Sequence, residues 1–206
     1  MTSLHTPRSS ALRSFRIAFA GLCALALSAC GINSIPTAEE AAKARWADVQ
    51  TNYQRRADLI PNLVATVKAA SEQEQETLTK VIEARAKATS VQVNANDLGD
   101  TAKVAQFAQA QGALSQSLGR LLVSVERYPD IKSNANFRDL QVQLEGTENR
   151  IATSVMKYNQ AVQDYNTRVR TFPEMIGAMI RGAKPMAPYQ ATTPGAEQAP
   201  TVDFGT

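Results

Sequence analysis

The chain has 206 residues, a length that suits one domain, or one domain with appendages. Its 22 basic and 19 acidic residues become equal in number once Arg8, Arg13 and Arg16, in the leader described next, are set aside. A nearly neutral protein has no basic surface to neutralise phosphates, so nucleic acid is excluded as an expected partner. Both cysteines and the only histidine precede residue 31, which leaves the rest without thiol, imidazole or a Cys/His metal cluster.

The first 29 residues have the pattern of a secretory signal peptide. Residues 1–16 contain arginines and no acid, and residues 17–27 form an uninterrupted apolar run. This run is too short to cross a bilayer as a helix, which needs roughly 20 residues. A basic leader, a short apolar core and small residues after it are typical of a cleaved secretion signal.

The end of this leader, Leu27-Ser28-Ala29-Cys30, resembles the lipobox of bacterial lipoproteins. In that class the cysteine sulfur receives a diacylglyceryl group, the signal is cut before it and its new amine is acylated. The resemblance implies that Cys30 anchors the chain in membrane lipid, with residues 30–36 as a lipidated tether. The alternative is an ordinary cleaved signal, or an uncleaved anchor, with a chance cysteine. Gly31, where an Asp would favour retention at the inner membrane, implies the outer membrane, facing the periplasm.

A first helix is predicted from the capping-box pattern of Thr37 and Glu40. Its apolar residues recur at heptad spacing, and we call such a row of residues along one side of a helix a seam; Arg56 takes the one irregular position. Pro61 predicts a kink and not a break, because the heptad spacing continues in phase across it. One helix over residues 38–92 would span about 80 Å. We therefore expect the chain to turn near Ser71, where Glu74 completes a second capping box.

Two further seams follow the turn residues 94–100. The third-helix seam has one polar member, Gln111, which is expected to fix register at some cost in stability. The fourth is a long heptad seam over residues 137–169. Together these seams predict an all-α fold: an elongated, antiparallel, up-and-down bundle of three to four long helices over residues 37–182. The seam positions are Val104, Phe107, Leu114, Leu118, Leu121 and Val125, then Phe137, Leu140, Leu144, Ile151, Val155, Tyr158, Val162, Tyr165 and Val169.

The C-terminal part contains a short amphipathic segment and a Pro-rich tail. Met175, Ile176, Met179 and Ile180 are expected to close the end of the bundle, with contact to lipid as the alternative. Residues 183–206 are rich in Pro, Ala, Thr, Gln and Gly. This composition predicts a disordered tail that contributes little to folding.

Several ordered motifs together resemble the LemA family over roughly residues 40–206. The resemblance implies an elongated antiparallel helical bundle on a membrane anchor, and it implies no settled biochemical activity. Many members of that family keep an N-terminal transmembrane helix, whereas this chain has a lipobox. The matching segments are RRADLIPNLV (55–64), EAR (83–85), RL (120–121), YPDIK (128–132), NF (136–137), GTENRIA (146–152), YN (158–159 and 165–166), TFP (171–173) and APTVDF (199–204).

Three features of the seams are candidates for structural or functional roles. The pairs Tyr158/Asn159 and Tyr165/Asn166 repeat at one heptad; they are interpreted as packing residues bonded to neighbouring helices, with a partner-binding strip as the alternative. Arg56 is expected to pair, buried, with Glu148 or another carboxylate of the long helix. Gly146 is expected to allow close packing against Trp46 or Tyr53.

The sequence predicts a lipid-anchored envelope protein that presents a helical bundle for protein–protein interaction or scaffolding. Its expected partners are membrane lipid, through Cys30, and an unidentified envelope protein. The alternative is a binding module for a small hydrophobic ligand or envelope polymer between the helices. An enzyme is not expected, because catalysis would rest on Asp, Glu, Lys, Tyr or Ser alone. No cofactor or metal is expected.

Overall fold

The computed structural model describes residues 8–70 and 74–191. Its regular elements are α-helices and one 3-10 turn, with no β-strand among these residues. This confirms the all-α prediction. The helices are α1 (Arg8–Ala70), α2 (Gln75–Ser90), α3 (Thr101–Val125), α4 (Pro129–Ser133), α5 (Ala135–Arg170) and α6 (Glu174–Arg181), with the 3-10 turn at Ala95–Asp97 between α2 and α3.

The first two helices run in opposite directions, as the expected turn near Ser71 requires. Arg85 Nε on α2 donates to the carbonyl of Ala57 on α1 at 2.8 Å. Further back along α1, Trp46 Nε1 donates to the carbonyl of Val93, just beyond α2, at 2.8 Å. The residue numbers of the partners on α2 and beyond rise as the residue numbers on α1 fall, so α2 is antiparallel to α1.

The third helix reverses direction again. Gln111 on α3 donates to the carbonyl of Ala88 near the end of α2 at 3.1 Å, and Arg127, just after α3, pairs with Glu74 before α2 at 3.0 Å. These pairs make α3 antiparallel to α2.

The long helix α5 returns antiparallel to α1, which completes the predicted up-and-down arrangement. The ring of Trp46 lies 5.0 Å from that of Tyr158, and Arg56 pairs with Glu148 at 2.9 Å. The apolar seams of α1, α3 and α5 face inward, as their heptad spacing predicts, and α2 turns Leu78, Val81 and Ala88 inward.

The buried apolar residues form two clusters along the bundle axis. On α1, Tyr53 belongs to the first cluster and Ile60 to the second, and Arg56 lies between them. On α3, Ala108 and Leu114 are likewise separated by Gln111. A polar layer therefore divides the core.

The predicted start of the bundle at Thr37 is wrong. α1 is helical through residues 30–36, Ile35 is buried with 1% of its surface exposed, and the Thr37 hydroxyl donates to the carbonyl of Asn33 instead of capping a helix. Ile35 lies one heptad before Ala42, so the apolar seam extends through the segment that was expected to be a tether. α1 also continues unbroken through Pro61, as the seam phase predicts.

The predicted signal peptide falls largely in the first part of α1. Residues 8–29 are helical and continuous with the rest of α1, and residues 1–7 lie outside the described part of the chain. No helix within the described residues is long and apolar enough to cross a bilayer. Cleavage before Cys30 and lipidation of Cys30 stay predictions.

The packing expected for Gly146 is wrong. Among the described residues, nothing outside the local turn of α5 lies within 4 Å of where a Cβ of residue 146 would stand, and the residue is exposed. The next residue, Thr147, takes the inward position with 2% exposure, and its hydroxyl donates to the carbonyl of Gln143 at 2.7 Å. Gly146 therefore faces solvent.

The prediction of a disordered tail is wrong for residues 183–191, which we call the strap. Met186, Ala187 and Tyr189 are buried in the first apolar cluster. The segment is ordered in spite of its composition, because a few well-placed apolar residues and backbone groups find partners on α5. Residues 192–206 of the predicted tail lie outside the described residues.

We predict that the strap stabilises the bundle. Truncation after Ala183 should lower the free energy of unfolding by about 4 kcal/mol relative to truncation after Ala191, because Met186 and Tyr189 each bury a large side chain. For a chain of this size the melting temperature should fall by roughly 10 °C. Urea and thermal unfolding of the two truncated chains would measure this difference. Equal stabilities would mean that the strap contributes nothing to folding.

Candidate functional site

The polar side chains of α5 hold the strap through its backbone. Asn166 Nδ2 donates to the carbonyl of Met186 at 2.9 Å, and the Met186 N–H donates to Asn166 Oδ1 at 2.8 Å. Asn159 makes the same two bonds with Tyr189, at 2.9 and 2.8 Å. Each asparagine amide therefore pairs with the strap as a peptide group of a neighbouring strand would.

The spacing of these bonds follows from the geometry of a helix and an extended chain. Seven residues of α-helix, from Asn159 to Asn166, rise about 10.5 Å. Three residues of extended chain, from Met186 to Tyr189, span about 10 Å. The heptad repeat on α5 thus matches a three-residue step along the strap, which runs antiparallel to α5.

The tyrosines next to these asparagines donate to the same segment. Tyr158 Oη donates to the carbonyl of Ala187 at 2.8 Å, and Tyr165 Oη donates to that of Lys184 at 3.0 Å. Burial raises the pKa of both hydroxyls above the ordinary value for tyrosine. Both hydroxyls therefore stay protonated, and able to donate, at physiological pH.

The strap ends over the centre of the bundle, where its own aromatic residue joins the core. The hydroxyls of Tyr189 and Tyr53 lie 2.5 Å apart, and the ring of Tyr189 packs edge-on against that of Phe107 at 6.4 Å. Desolvation is the main cause of the raised pKa of both tyrosines. Tyr189 thus fixes the strap over the first apolar cluster.

The structure confirms the packing interpretation of Tyr158 and Tyr165 and corrects that of the asparagines. Both tyrosines are buried in the first apolar cluster. Asn159 and Asn166, however, bond the strap and not a neighbouring helix. The sequence signal that could have revealed this is the Tyr-Asn repeat itself, since two amides at one heptad spacing match an extended chain.

Arg56 is the centre of the polar layer between the two apolar clusters. Its guanidinium donates to Ser115 Oγ at 2.7 Å, to Gln111 Oε1 at 2.7 Å and to the Gln111 carbonyl at 3.2 Å. It also donates to Glu148 Oε1 at 2.9 Å, which confirms the predicted ion pair. The ring of Tyr53 covers it at 4.9 Å. Arg56 is fully buried, and its Nε has no hydrogen-bond partner within the described residues.

A groove of about 440 Å³ lies beside this layer, between α3 and α5. The last described strap residue, Ala191, lies on its wall. The groove therefore continues the course of the strap over a surface that is part apolar and part polar. Its lining includes Tyr53, Gln111, Gln116, Ile151, Ala152 and Val155.

Cys30 is on α1, five residues before the buried Ile35. No group of three or more His, Cys, Asp or Glu side chains in residues 8–70 and 74–191 is arranged to hold a metal ion.

We predict that Arg56 is required for stability in a way that lysine cannot replace. Arg56→Lys should lower the free energy of unfolding by about 2–3 kcal/mol, because a single ammonium cannot serve Ser115, Gln111 and Glu148 in one geometry. Arg55→Lys is the matched control: Arg55 is exposed, and a surface exchange should stay within about 0.5 kcal/mol. Urea unfolding of both variants would measure this. Equal, small effects would contradict a structural role for the polar layer.

The chain is similar in sequence to magnetosome proteins named MamQ and to a protein named LemA. It is 34% identical over 98 residues to Magnetosome protein MamQ 2 of Paramagnetospirillum magneticum, which covers 48% of this chain and 36% of that protein. It is 32% identical over 87 residues to Magnetosome protein MamQ of Magnetospirillum gryphiswaldense, covering 42% of this chain and 32% of that one. Protein LemA of Metamycoplasma hominis is 22% identical over 124 residues, 60% of this chain and 52% of that protein. The chain thus spans about a third to a half of these curated relatives.

The model of the LemA family matches residues 45–204. This range includes the helical bundle from the second half of α1 onward, the Arg56 layer and the strap with its asparagine partners. The match covers well over half of the chain, in agreement with the resemblance drawn from the sequence motifs. The chain belongs to the LemA family.

Proposed function

We propose that this protein is a lipid-anchored protein of the cell envelope whose helical bundle binds an extended segment of another envelope protein. The anchor in this proposal is acylated Cys30, on the outer membrane and facing the periplasm. The leader pattern and the lipobox-like residues before Cys30 support the anchor. Gly31 in place of Asp supports the outer membrane.

The observation that carries the binding role is the strap itself. α5 holds an extended chain mainly through backbone groups, two bonds from each of two asparagines, and so recognises the chain's conformation more than its side chains. The edge of a β-sheet recognises an added strand in the same way, through backbone hydrogen bonds. The groove beyond Ala191 offers a continuation of the same surface.

The groove also supports a second candidate, a small hydrophobic ligand or a segment of envelope polymer. Ile151, Val155 and Tyr53 supply an apolar wall, and Gln111 and Gln116 supply polar groups. A volume of about 440 Å³ is within the range of small-molecule sites. A protein partner is preferred because the adjoining strap already shows how this face holds a polypeptide.

The anchor predicts a specific labelling result. In cells given an alkyne fatty acid, the parent protein should incorporate the label, and Cys30→Ala should incorporate none and accumulate as precursor. Cys23→Ala is the matched control, because Cys23 lies within the apolar core of the leader and should leave labelling unchanged. Labelling that survives Cys30→Ala, or a mature N-terminus other than Cys30, would contradict the anchor.

The binding role is tested by photo-crosslinking in intact cells. A photoreactive amino acid in place of Gln116, on the wall of the groove, should give a discrete adduct with a second protein. The same group in place of Thr79, exposed on α2, is the control and should give none. Adducts only with lipid or glycan would favour the second candidate. Adducts only with residues 192–206 of the same chain would contradict binding of a partner at this groove.

A further inference from the structure

The short helix α6 exposes its large apolar side chains. Phe172, just before the helix, is 74% exposed, Met179 is 74% exposed and Ile180 is 76% exposed, while Ile176 is 45% exposed. Met179 and Ile180 lie three and four residues after Ile176, so the three share one side of the helix. Ile176, Met179 and Ile180 form one outward-facing apolar stripe, which we call the α6 stripe.

The orientation of α6 is opposite to the one that packing within the bundle would favour. The helix faces the bundle with Gly177 and Ala178, the two smallest residues available, and Ala178 is 2% exposed in the first apolar cluster. A helix that only closed the bundle would turn its isoleucines and methionines inward. Gly177 and Ala178 therefore form the contact of α6 with the bundle, and the large apolar residues remain available for another surface.

The position of α6 indicates which surface that is. Ala178 packs in the same cluster as Ile35 of α1. Cys30 lies five residues before Ile35 on the same helix, a rise of about 7.5 Å. If acyl chains on Cys30 hold the protein, as the proposed function states, α6 lies beside the membrane surface.

The charges around the α6 stripe match an anionic surface. Arg170, Arg181 and Lys184 are exposed around the helix. Glu174, the one acidic residue of α6, is paired with Arg168 at 3.0 Å. Basic residues beside an apolar stripe are the pattern of helices that lie in the headgroup region of anionic bilayers.

We propose that the α6 stripe is a second membrane contact, which inserts into the interface of an anionic phospholipid bilayer next to the lipid anchor. This second contact rests on the proposed anchor at Cys30. It adds a function to the anchor, because two contacts would hold the bundle in one orientation on the membrane, whereas the anchor alone would only tether the bundle. A depth of roughly 5–10 Å into the headgroup and acyl boundary is expected for such a stripe.

The experiment uses the full lipidated protein, purified from cells and reconstituted into vesicles of phosphatidylethanolamine and phosphatidylglycerol with brominated acyl chains. The protein has one tryptophan, Trp46, which is buried. In Met179→Trp, the added fluorescence should be quenched by bromines close to the headgroups. The matched control is Met156→Trp on α5, 64% exposed and 14 residues before the end of that helix, which should not be quenched. Quenching of Met179→Trp should weaken when phosphatidylcholine replaces phosphatidylglycerol.

Flotation of the vesicles separates the two hypotheses. Protein that floats, with Met179→Trp quenched and Met156→Trp not, supports the proposal. Protein that floats with Met179→Trp no more quenched than Met156→Trp overturns the α6 contact and leaves the anchor intact. The same unquenched result with crosslinks between copies at position 179 would assign the stripe to self-association. Lipidated protein that does not float overturns both.

Discussion

The fold depends on satisfying the polar groups that α5 carries along its buried seam. Tyr158 and Tyr165 lie where a purely apolar coiled coil would have aliphatic residues, and their hydroxyls need partners when buried. Within residues 8–70 and 74–191 these partners come from the strap, as the carbonyls of Lys184 and Ala187. Asn159 and Asn166 also bind the strap backbone, so that one extended segment supplies hydrogen-bond partners to the tyrosines and to the asparagines. The segment that composition marks as dispensable is thus part of the core.

The Arg56 layer places a second constraint on the same bundle. Heptad seams alone allow helices to slide by one heptad and still bury apolar faces. A buried guanidinium that must meet Gln111 and Ser115 on α3 and Glu148 on α5 allows one register. Displacement by a heptad would leave a buried charge without partners, which costs far more than repacking aliphatic residues. The layer and the strap also meet, because the ring of Tyr53 covers Arg56 and its hydroxyl contacts Tyr189.

Features that follow from periodicity could be predicted from the sequence, and features that depend on a few contacts against the local composition could not. The inward seams of α1, α3 and α5, the turn before α2 and the Arg56–Glu148 pair were accessible because each rests on spacing and charge. Ile35 was missed because a capping-box pattern at Thr37 outweighed one apolar residue a heptad before Ala42. The strap was missed because Met186 and Tyr189 are isolated apolar residues among prolines, and their partners are amides 20 or more residues away. The exposure of α6 was missed because amphipathicity does not show which side faces inward.

Native-state hydrogen exchange can determine whether the strap is held as firmly as the helix it covers. The amides of Met186 and Tyr189 donate to asparagine side chains, whereas Lys184 is exposed. The Met186 and Tyr189 amides should exchange at least about a thousandfold more slowly than in an unstructured peptide, at rates close to those of the α5 core. The Lys184 amide should exchange quickly. Exchange of Met186 and Tyr189 at the rate of an unstructured peptide, with α5 still protected, would show that the strap is not part of the core.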